Sequence, residues 1–156
     1  MVNEAQQNVA TLLETWGVSF SARLIGETKR DDWVCDEWRV TIGSFETEYF
    51  TGTGLREMKK GAIPTTARKG CIAYAEWEKQ NLIAVAPCAA DVIYALLSDA
   101  EACDMAFSTW CETFGYSKVS IKALNTYRAC EEISRSLRKV FSTKQVEEIR
   151  EALTDY

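Results

Sequence analysis

A two-residue turn between two alternating runs constrains the fold of this chain most strongly. Apolar and polar residues alternate from 38 to 42 and again from 45 to 49, and Gly43-Ser44 lies between the runs. Alternation with a period of two is the pattern of a half-buried strand, and a glycine that opens a two-residue connection favours a type II′ turn. We therefore predict an antiparallel hairpin in which Ile42 lies opposite Phe45. The residues predicted to be buried beneath helices are Trp38, Val40, Phe45 and Tyr49.

A helix and a further strand are predicted before this hairpin. Apolar residues at spacings of three and four between Val2 and Trp16 indicate an amphipathic helix that ends at Gly17. Residues 18–26 alternate as a strand, and the polar residues 27–32 are predicted to form a loop. Residues 1–56 are thus predicted to be a helix followed by a three-stranded antiparallel meander.

The remainder of the chain is predicted to be mostly helical. Residues 57–87 contain both prolines and are predicted to connect the two halves, with a helix that begins at Thr65 or Thr66. In the helical half, 88–156, apolar residues recur at helical spacing, Gly115 ends one helix, and Ser142-Thr143-Lys144-Gln145 is a capping box that starts the last. We predict one α+β domain over 1–156, with a three-stranded antiparallel sheet packed against a mostly helical C-terminal half.

The six cysteines are predicted to be free thiols. No CxxC pair and no histidine occurs, so neither a metal site nor a cofactor is predicted. The start of the chain lacks the basic and apolar regions of a signal peptide, and no apolar run approaches the roughly 20 residues of a membrane helix. We therefore expect a cytoplasmic protein without a membrane segment. The thiols are Cys35, Cys71, Cys88, Cys103, Cys111 and Cys130.

The sequence contains no recognisable catalytic group. A serine or cysteine nucleophile normally needs a neighbouring base, and no histidine is present to provide one. Adjacent carboxylates such as Asp31 and Asp32 are usually solvated surface groups rather than an acid–base pair. We predict that the protein is not an enzyme and that it acts by binding a partner.

Charge is segregated along the chain. Residues 27–48 contain seven acidic and three basic residues, a net charge of −4, whereas residues 55–70 contain five basic residues and one acidic residue, a net charge of +4. Residues 118–139 also carry a net charge of +4. Ordinary solvated faces that neutralise one another are the alternative interpretation of this pattern.

The acidic segment contains the predicted partner-binding residues. Trp33 lies just outside the predicted sheet and Phe50 on the outer face of the hairpin, and exposed aromatic side chains are favoured interface anchors. Acidic neighbours would form a rim that attracts a basic partner. The predicted site comprises Asp31, Asp32, Trp33, Asp36, Glu37, Glu46, Glu48 and Phe50.

Several runs carry a resemblance to a known group of proteins. Four runs resemble small acidic proteins of tailed phages and integrated mobile elements. These runs are residues 90–99, residues 107–116, Tyr127-Arg128-Ala129-Cys130 and the glycine-containing strand end at 49–54. The chain departs from that group after Tyr116, where acidic residues often follow and Ser117-Lys118-Val119 stands here.

That resemblance implies an inhibitor of host defence, of the anti-CRISPR type. Such a protein would bind a basic, nucleic-acid-binding surface of a host protein or complex in the bacterial cytoplasm. The alternative is a phage accessory protein that binds DNA or RNA directly through basic segments. The net charge of −5 argues against direct nucleic-acid binding. The basic residues of the alternative are Lys59, Lys60, Arg68 and Lys69.

Overall fold

The structure is a computed structural model that describes residues 3–30, 32–53, 56–58, 82–154 and 156. The predicted α+β class is confirmed, because three strands form one antiparallel sheet and the described helices lie mostly in the C-terminal half. The predicted helix from Thr65 or Thr66 lies outside the described residues. The described elements are α1 (Glu4–Thr15), β1 (Phe20–Arg30), β2 (Trp33–Ile42), β3 (Phe45–Gly52), β4 (Glu57–Met58), β5 (Leu82–Ile83), α2 (Ala89–Ala102), α3 (Phe107–Phe114), α4 (Ile121–Val140) and α5 (Thr143–Ala152).

The hairpin turn lies where the sequence predicts it. The strand order is β1-β2-β3, and Gly43 at the start of the β2–β3 connection has a φ of 58°. Primed hairpin turns require a positive φ at this position, which glycine adopts without steric cost. Trp38 and Val40 are buried as predicted, but Phe45 and Tyr49 are only half-buried. The difference follows from position, because β2 is the central strand whereas β3 lies at an edge of this sheet.

The first strand is longer than predicted. Residues 27–30 belong to β1 instead of a loop, and β2 begins at Trp33, so residues 31–32 alone connect the two strands. The Cys35 thiol on β2 lies 3.7 Å from the Thr28 carbonyl oxygen on β1. Tertiary contacts therefore override the low strand propensity of this polar stretch.

A small strand pair lies within the segment predicted to be a connection. β4 and β5 pair antiparallel, with residue 57 opposite Ile83 and residue 58 opposite Leu82. The two strands are separated by the 23 residues from 59 to 81, a distance over which sequence periodicity gives no pairing signal.

The helix ends follow their local capping signals. At the end of α1, Gly17 has a φ of 67°, and Gly115 after α3 has a φ of 77°. At the start of α5, the Gln145 amide donates to Ser142 Oγ at 3.2 Å and the Ser142 amide donates to Gln145 Oε1 at 2.8 Å. The predicted capping box is thus confirmed. A second one, between Asn3 and Gln6, starts α1.

The contacts divide the chain into two compact units, each made of separate stretches of sequence. The first contains 1–21, 41–47 and 88–156, and the second contains 22–40 and 48–87. In the first unit α2 contacts α4 and α1, α1 contacts α5, and α3 contacts α4. The core of the first unit contains Val9, Leu13, Val92, Ile93, Leu97, Leu137, Phe141 and Ile149.

An aromatic cluster fixes α3 against α4 in the first unit. The Trp110 ring stacks on Tyr116 with the centroids 4.9 Å apart and an interplanar angle of 9°. Phe107 and Tyr127 contact the same indole, and the Tyr127 hydroxyl donates to the Met105 carbonyl at 2.7 Å. Trp110 is buried, and its Nε1 has no hydrogen-bond partner among the residues that the structure describes.

The described thiols are free, as predicted. Cys35 and Cys111 are buried, and Cys88, Cys103 and Cys130 are half-buried. Cys71 lies outside the described residues.

The hairpin tip yields a prediction about stability. A Cβ atom at Gly43 would lie 3.2 Å from Val140 Cγ1 and 3.5 Å from Val18 Cγ1. Gly43→Ala should therefore lower the free energy of unfolding by about 1–2 kcal/mol, since an L side chain is strained at positive φ and the approach is close. Urea denaturation measures this change. Gly52→Ala is the matched control, because its Cβ would meet no atom within 4 Å; an equal loss in both variants would contradict the turn geometry.

Candidate partner-binding surface

One face of the sheet in the second unit carries four of the eight predicted site residues. Successive side chains of a strand point to opposite faces, so Trp33 and Glu37 share one face of β2 and Asp36 and Trp38 share the other. The Trp38 indole donates to Thr51 Oγ1 at 2.8 Å, which places Thr51 on the Trp38 side.

The same alternation assigns the neighbouring strands. Because Thr51 faces the Trp38 side, Glu48 and Phe50 on β3 face the Trp33 side. The guanidinium carbon of Arg30 on β1 lies 4.1 Å above the Phe50 ring centroid, so Arg30 belongs to this side too. We call this surface the Trp33 face; by the same alternation it includes Leu24 on β1 and Arg39 on β2, and its accessible residues are Leu24, Arg30, Trp33, Glu37, Arg39, Glu48 and Phe50.

The exposed residues of the Trp33 face are two apolar side chains, the acidic Glu48 and the basic Arg30. Trp33 is 53% exposed and Leu24 is 46% exposed. Glu48 is exposed and Glu37 is half-buried, and Asp32 is exposed in the connection that leads into β2. A large aromatic side chain beside carboxylates is suited to insertion into a partner that presents cationic groups.

Phe50 is less accessible than the sequence predicts. Its ring is half-buried and is covered on one side by the Arg30 guanidinium. A cation over an aromatic ring at such a site contributes about 0.5–1 kcal/mol. Trp33 is therefore the principal aromatic anchor of the face.

Asp36 is not an accessible rim residue, and this part of the prediction is wrong. The residue is 3% exposed, and strand alternation places it on the buried side of β2 with Trp38 and Val40. Arg56 binds the carboxylate with two hydrogen bonds, from Nη2 to Oδ1 at 2.6 Å and from Nε to Oδ2 at 3.2 Å. A buried carboxylate is tolerated when a cation and good hydrogen-bond geometry compensate its lost hydration.

Arg56 joins two carboxylates. Its Nη2 also lies 2.7 Å from Oε2 of Glu27, and the Glu27 side chain is 55% exposed. The hydrogen bond to Asp36, followed by that to Glu27, raises the pKa of Arg56 above its ordinary value. Sequence reasoning missed this cluster because its members lie 20 and 29 residues apart. The only signal for this cluster in the sequence was Asp36 itself, an acidic residue at a strand position that faces the buried side.

Two of the remaining predicted residues are not assigned to this face. Glu46 is exposed but belongs to the first unit, and Asp31 lies outside the described residues. The basic residues of the alternative hypothesis lie between 59 and 81, also outside them. The described members of the predicted site that share the Trp33 face or its flank are Asp32, Trp33, Glu37, Glu48 and Phe50.

The described residues contain no other strong candidate for chemistry. Within these ranges, no group of three or more cysteine, aspartate or glutamate side chains is arranged to hold a metal ion. Burial raises the pKa of the Cys88, Cys103 and Cys130 thiols, which disfavours the reactive thiolate. Among the helices that the structure describes, none has the length and apolar content to cross a membrane.

The first unit has an open groove of about 570 Å³ beside α4 and α5. Its walls carry Arg138, Arg150 and Glu147, with Phe141 and Val146 at its apolar part. Arg150 is paired with Glu101 at 2.9 Å, and the Ser142 hydroxyl that lines the groove accepts from the Gln145 amide. Arg150 and Ser142 are thus engaged in contacts within the first unit.

A scan against protein-family models finds no match, and comparisons with curated proteins and with solved structures find none. The functional proposal therefore rests on the Trp33 face and on the resemblance of the sequence runs described above.

Removal of Arg56 should reveal the structural role of the buried carboxylate. Arg56→Gln leaves Asp36 buried without a cation, so the free energy of unfolding should fall by about 2–3 kcal/mol. Glu27→Gln, at the exposed end of the same cluster, should lower it by less than about 1 kcal/mol. Chemical denaturation measures both changes. Equal small effects would show that Arg56 does not stabilise the second unit through Asp36.

Proposed function

We propose that this protein binds a basic, nucleic-acid-binding surface of a host protein or complex through its Trp33 face. The observation that carries the proposal is the 53% exposure of Trp33. About half of this large apolar side chain is left in water at the start of a strand, and tryptophan is among the residues most enriched at energetically dominant interface positions.

The acidic residues of the segment contribute less charge than their number suggests. Glu27 and Asp36 bind Arg56, which leaves five of the seven acidic residues in 27–48 beside three basic ones. Because one guanidinium offsets one negative charge, the segment together with Arg56 has a net charge of −3 rather than −4. We therefore assign most of the affinity to burial of Trp33 and assign to Asp32, Glu37 and Glu48 the selection of a basic partner and faster association.

The resemblance to small acidic proteins of phages and mobile elements supplies the biological context of the proposal. A protein that occupies a surface which otherwise holds nucleic acid competes with that nucleic acid for the same cationic groups. Binding of this kind would inhibit a host defence complex without catalysis. We accordingly propose an inhibitor of the anti-CRISPR type that acts in the cytoplasm of a bacterial host.

Substitutions on the Trp33 face should abolish inhibition without unfolding the protein. Trp33→Ala, and separately the triple variant Asp32→Lys/Glu37→Lys/Glu48→Lys, should reduce by at least tenfold the plaquing of a targeted phage on a CRISPR-active host that expresses the protein. The underlying change should be a rise of at least tenfold in the dissociation constant for the host complex, which corresponds to about 1.4 kcal/mol of binding free energy. The far-ultraviolet circular dichroism spectrum should remain that of the unsubstituted protein, because Asp32, Trp33 and Glu48 are exposed and the half-buried Glu37 lies outside the buried side of β2.

A matched variant separates this surface from net charge. Glu14→Lys/Glu147→Lys/Glu151→Lys makes the same change in charge at exposed helical positions of the first unit and should retain inhibition. Full inhibition by the folded Trp33 and triple variants would overturn the proposed surface. Salt-sensitive binding of the purified protein to bare DNA or RNA in an electrophoretic shift assay would favour the alternative, direct nucleic-acid binding.

A further inference from the structure

The edge of β1 has the features of a pairing surface. Among the described residues, β1 forms sheet hydrogen bonds with β2 alone, and β2 lies on only one side of it. An edge strand presents unpaired backbone N–H and C=O groups that can accept another strand. Leu24 and Ile25, adjacent on β1 and so on opposite faces of the sheet, are 46% and 47% exposed. An edge strand with exposed apolar residues at its centre is a site at which another strand can add when the charges that flank these residues are complementary.

We propose that β1 pairs antiparallel with β1 of a second copy of this chain, with Ile25 on the two-fold axis. The pairing would extend each three-stranded sheet into a continuous six-stranded sheet. Antiparallel addition of identical strands is an isologous contact, in which the same residues serve both copies.

The charges along β1 select this register. When Ile25 lies on the axis, residues at equal distances from it oppose each other, so Arg23 faces Glu27 of the second copy and Glu27 faces its Arg23. Both side chains belong to exposed residues. Opposite charges directly across antiparallel strands are stabilising, and like charges are destabilising.

Neighbouring registers lose this complementarity. With the axis at Gly26, Arg23 would face Lys29 of the second copy, and with the axis at Arg23 the two guanidinium groups would meet. With the axis at Leu24, Glu27 would face a serine and gain no charge partner. The register at Ile25 is therefore the one that joins two ion pairs with an apolar contact at the centre.

Glu27 can serve both the chain's own Arg56 and the second copy. Its side chain remains 55% exposed while one oxygen accepts from Arg56. A carboxylate has about four acceptor sites on its two oxygens, so a second guanidinium can bind without release of the first. The opposing Gly26 leaves space beside Leu24, because a Cβ atom at Gly26 would meet nothing within 4 Å in the single chain.

A perpendicular two-fold axis keeps equivalent faces of both copies on the same side of the sheet. If the function proposed above holds, the pair would present two Trp33 faces together, and a partner with two basic sites would be bound with higher avidity. The pairing itself depends only on β1.

Association and charge exchange test the proposal together. At tens of micromolar, sedimentation equilibrium should give about 35 kDa, twice the chain mass of 17.6 kDa. Arg23→Glu and Glu27→Lys, each alone, create two like-charge contacts per pair and should raise the dissociation constant at least tenfold. An equimolar mixture of the two variants should restore association. In the mixed pair, the carboxylate introduced at position 23 of one chain faces the ammonium introduced at position 27 of the other, and the unsubstituted Glu27 and Arg23 face each other.

Arg128→Glu, at an exposed position of α4, makes the same charge change as Arg23→Glu and should leave association unchanged. Ile25→Lys, which places two cations on the axis, provides a second disruptive variant if Glu27→Lys fails to fold beside Arg56. A monomer at 17.6 kDa for the unsubstituted protein, or a dimer indifferent to both Arg23→Glu and Ile25→Lys, would overturn the proposal. Either result leaves the inhibition assay with Trp33 variants unaffected, so the two proposals fail separately.

Discussion

The Asp36–Arg56 ion pair determines how the second unit uses its charges. A carboxylate on the buried side of a central strand would cost several kcal/mol if it lacked a counter-charge. Arg56, which follows β3, provides two hydrogen bonds to Asp36 and reaches Glu27 on β1 with the same guanidinium. One side chain thereby links the first strand, the central strand and the segment after the third.

This arrangement divides the acidic residues into two kinds. Asp36 and Glu27 compensate the charge of Arg56. Asp32, Glu37 and Glu48 lie on the Trp33 face or beside it. The division follows from the alternation of the strands, because neighbouring residues of β2 face opposite sides. A run of acidic residues that appears continuous in the sequence is therefore not a continuous acidic surface, and an exposed tryptophan becomes the dominant feature of the face.

Local signals in the sequence predicted much of the fold. The Gly43-Ser44 turn, the glycine that ends α3 and the capping box at Ser142 each depend on a few neighbouring residues, and each was correctly predicted. The strand conformation of residues 27–30 was not predicted, because these polar residues form a strand through their contact with β2. The pairing of β4 with β5 likewise joins residues about two dozen positions apart.

The same limit applies to the site. Trp33 was correctly predicted to be exposed, because it precedes the buried part of the strand pattern. The placement of Asp36 was wrong because its strand was expected to begin later, and a shift in where a strand begins changes which residues are interpreted as loop. The cation that compensates Asp36 lies 20 residues away, and no periodicity connects the two.

Solvent labelling of Trp33 in the free and the bound protein shows whether this side chain is covered by the partner. Hydroxyl-radical labelling followed by mass spectrometry should modify Trp33 in the free protein and leave Trp38, which is 4% exposed, nearly unmodified. On binding to a host defence complex that the protein inhibits, labelling of Trp33 should fall several-fold while that of the exposed residue Val119 stays constant. Unchanged labelling of Trp33 in the complex, with protection at Val119 instead, would contradict the account.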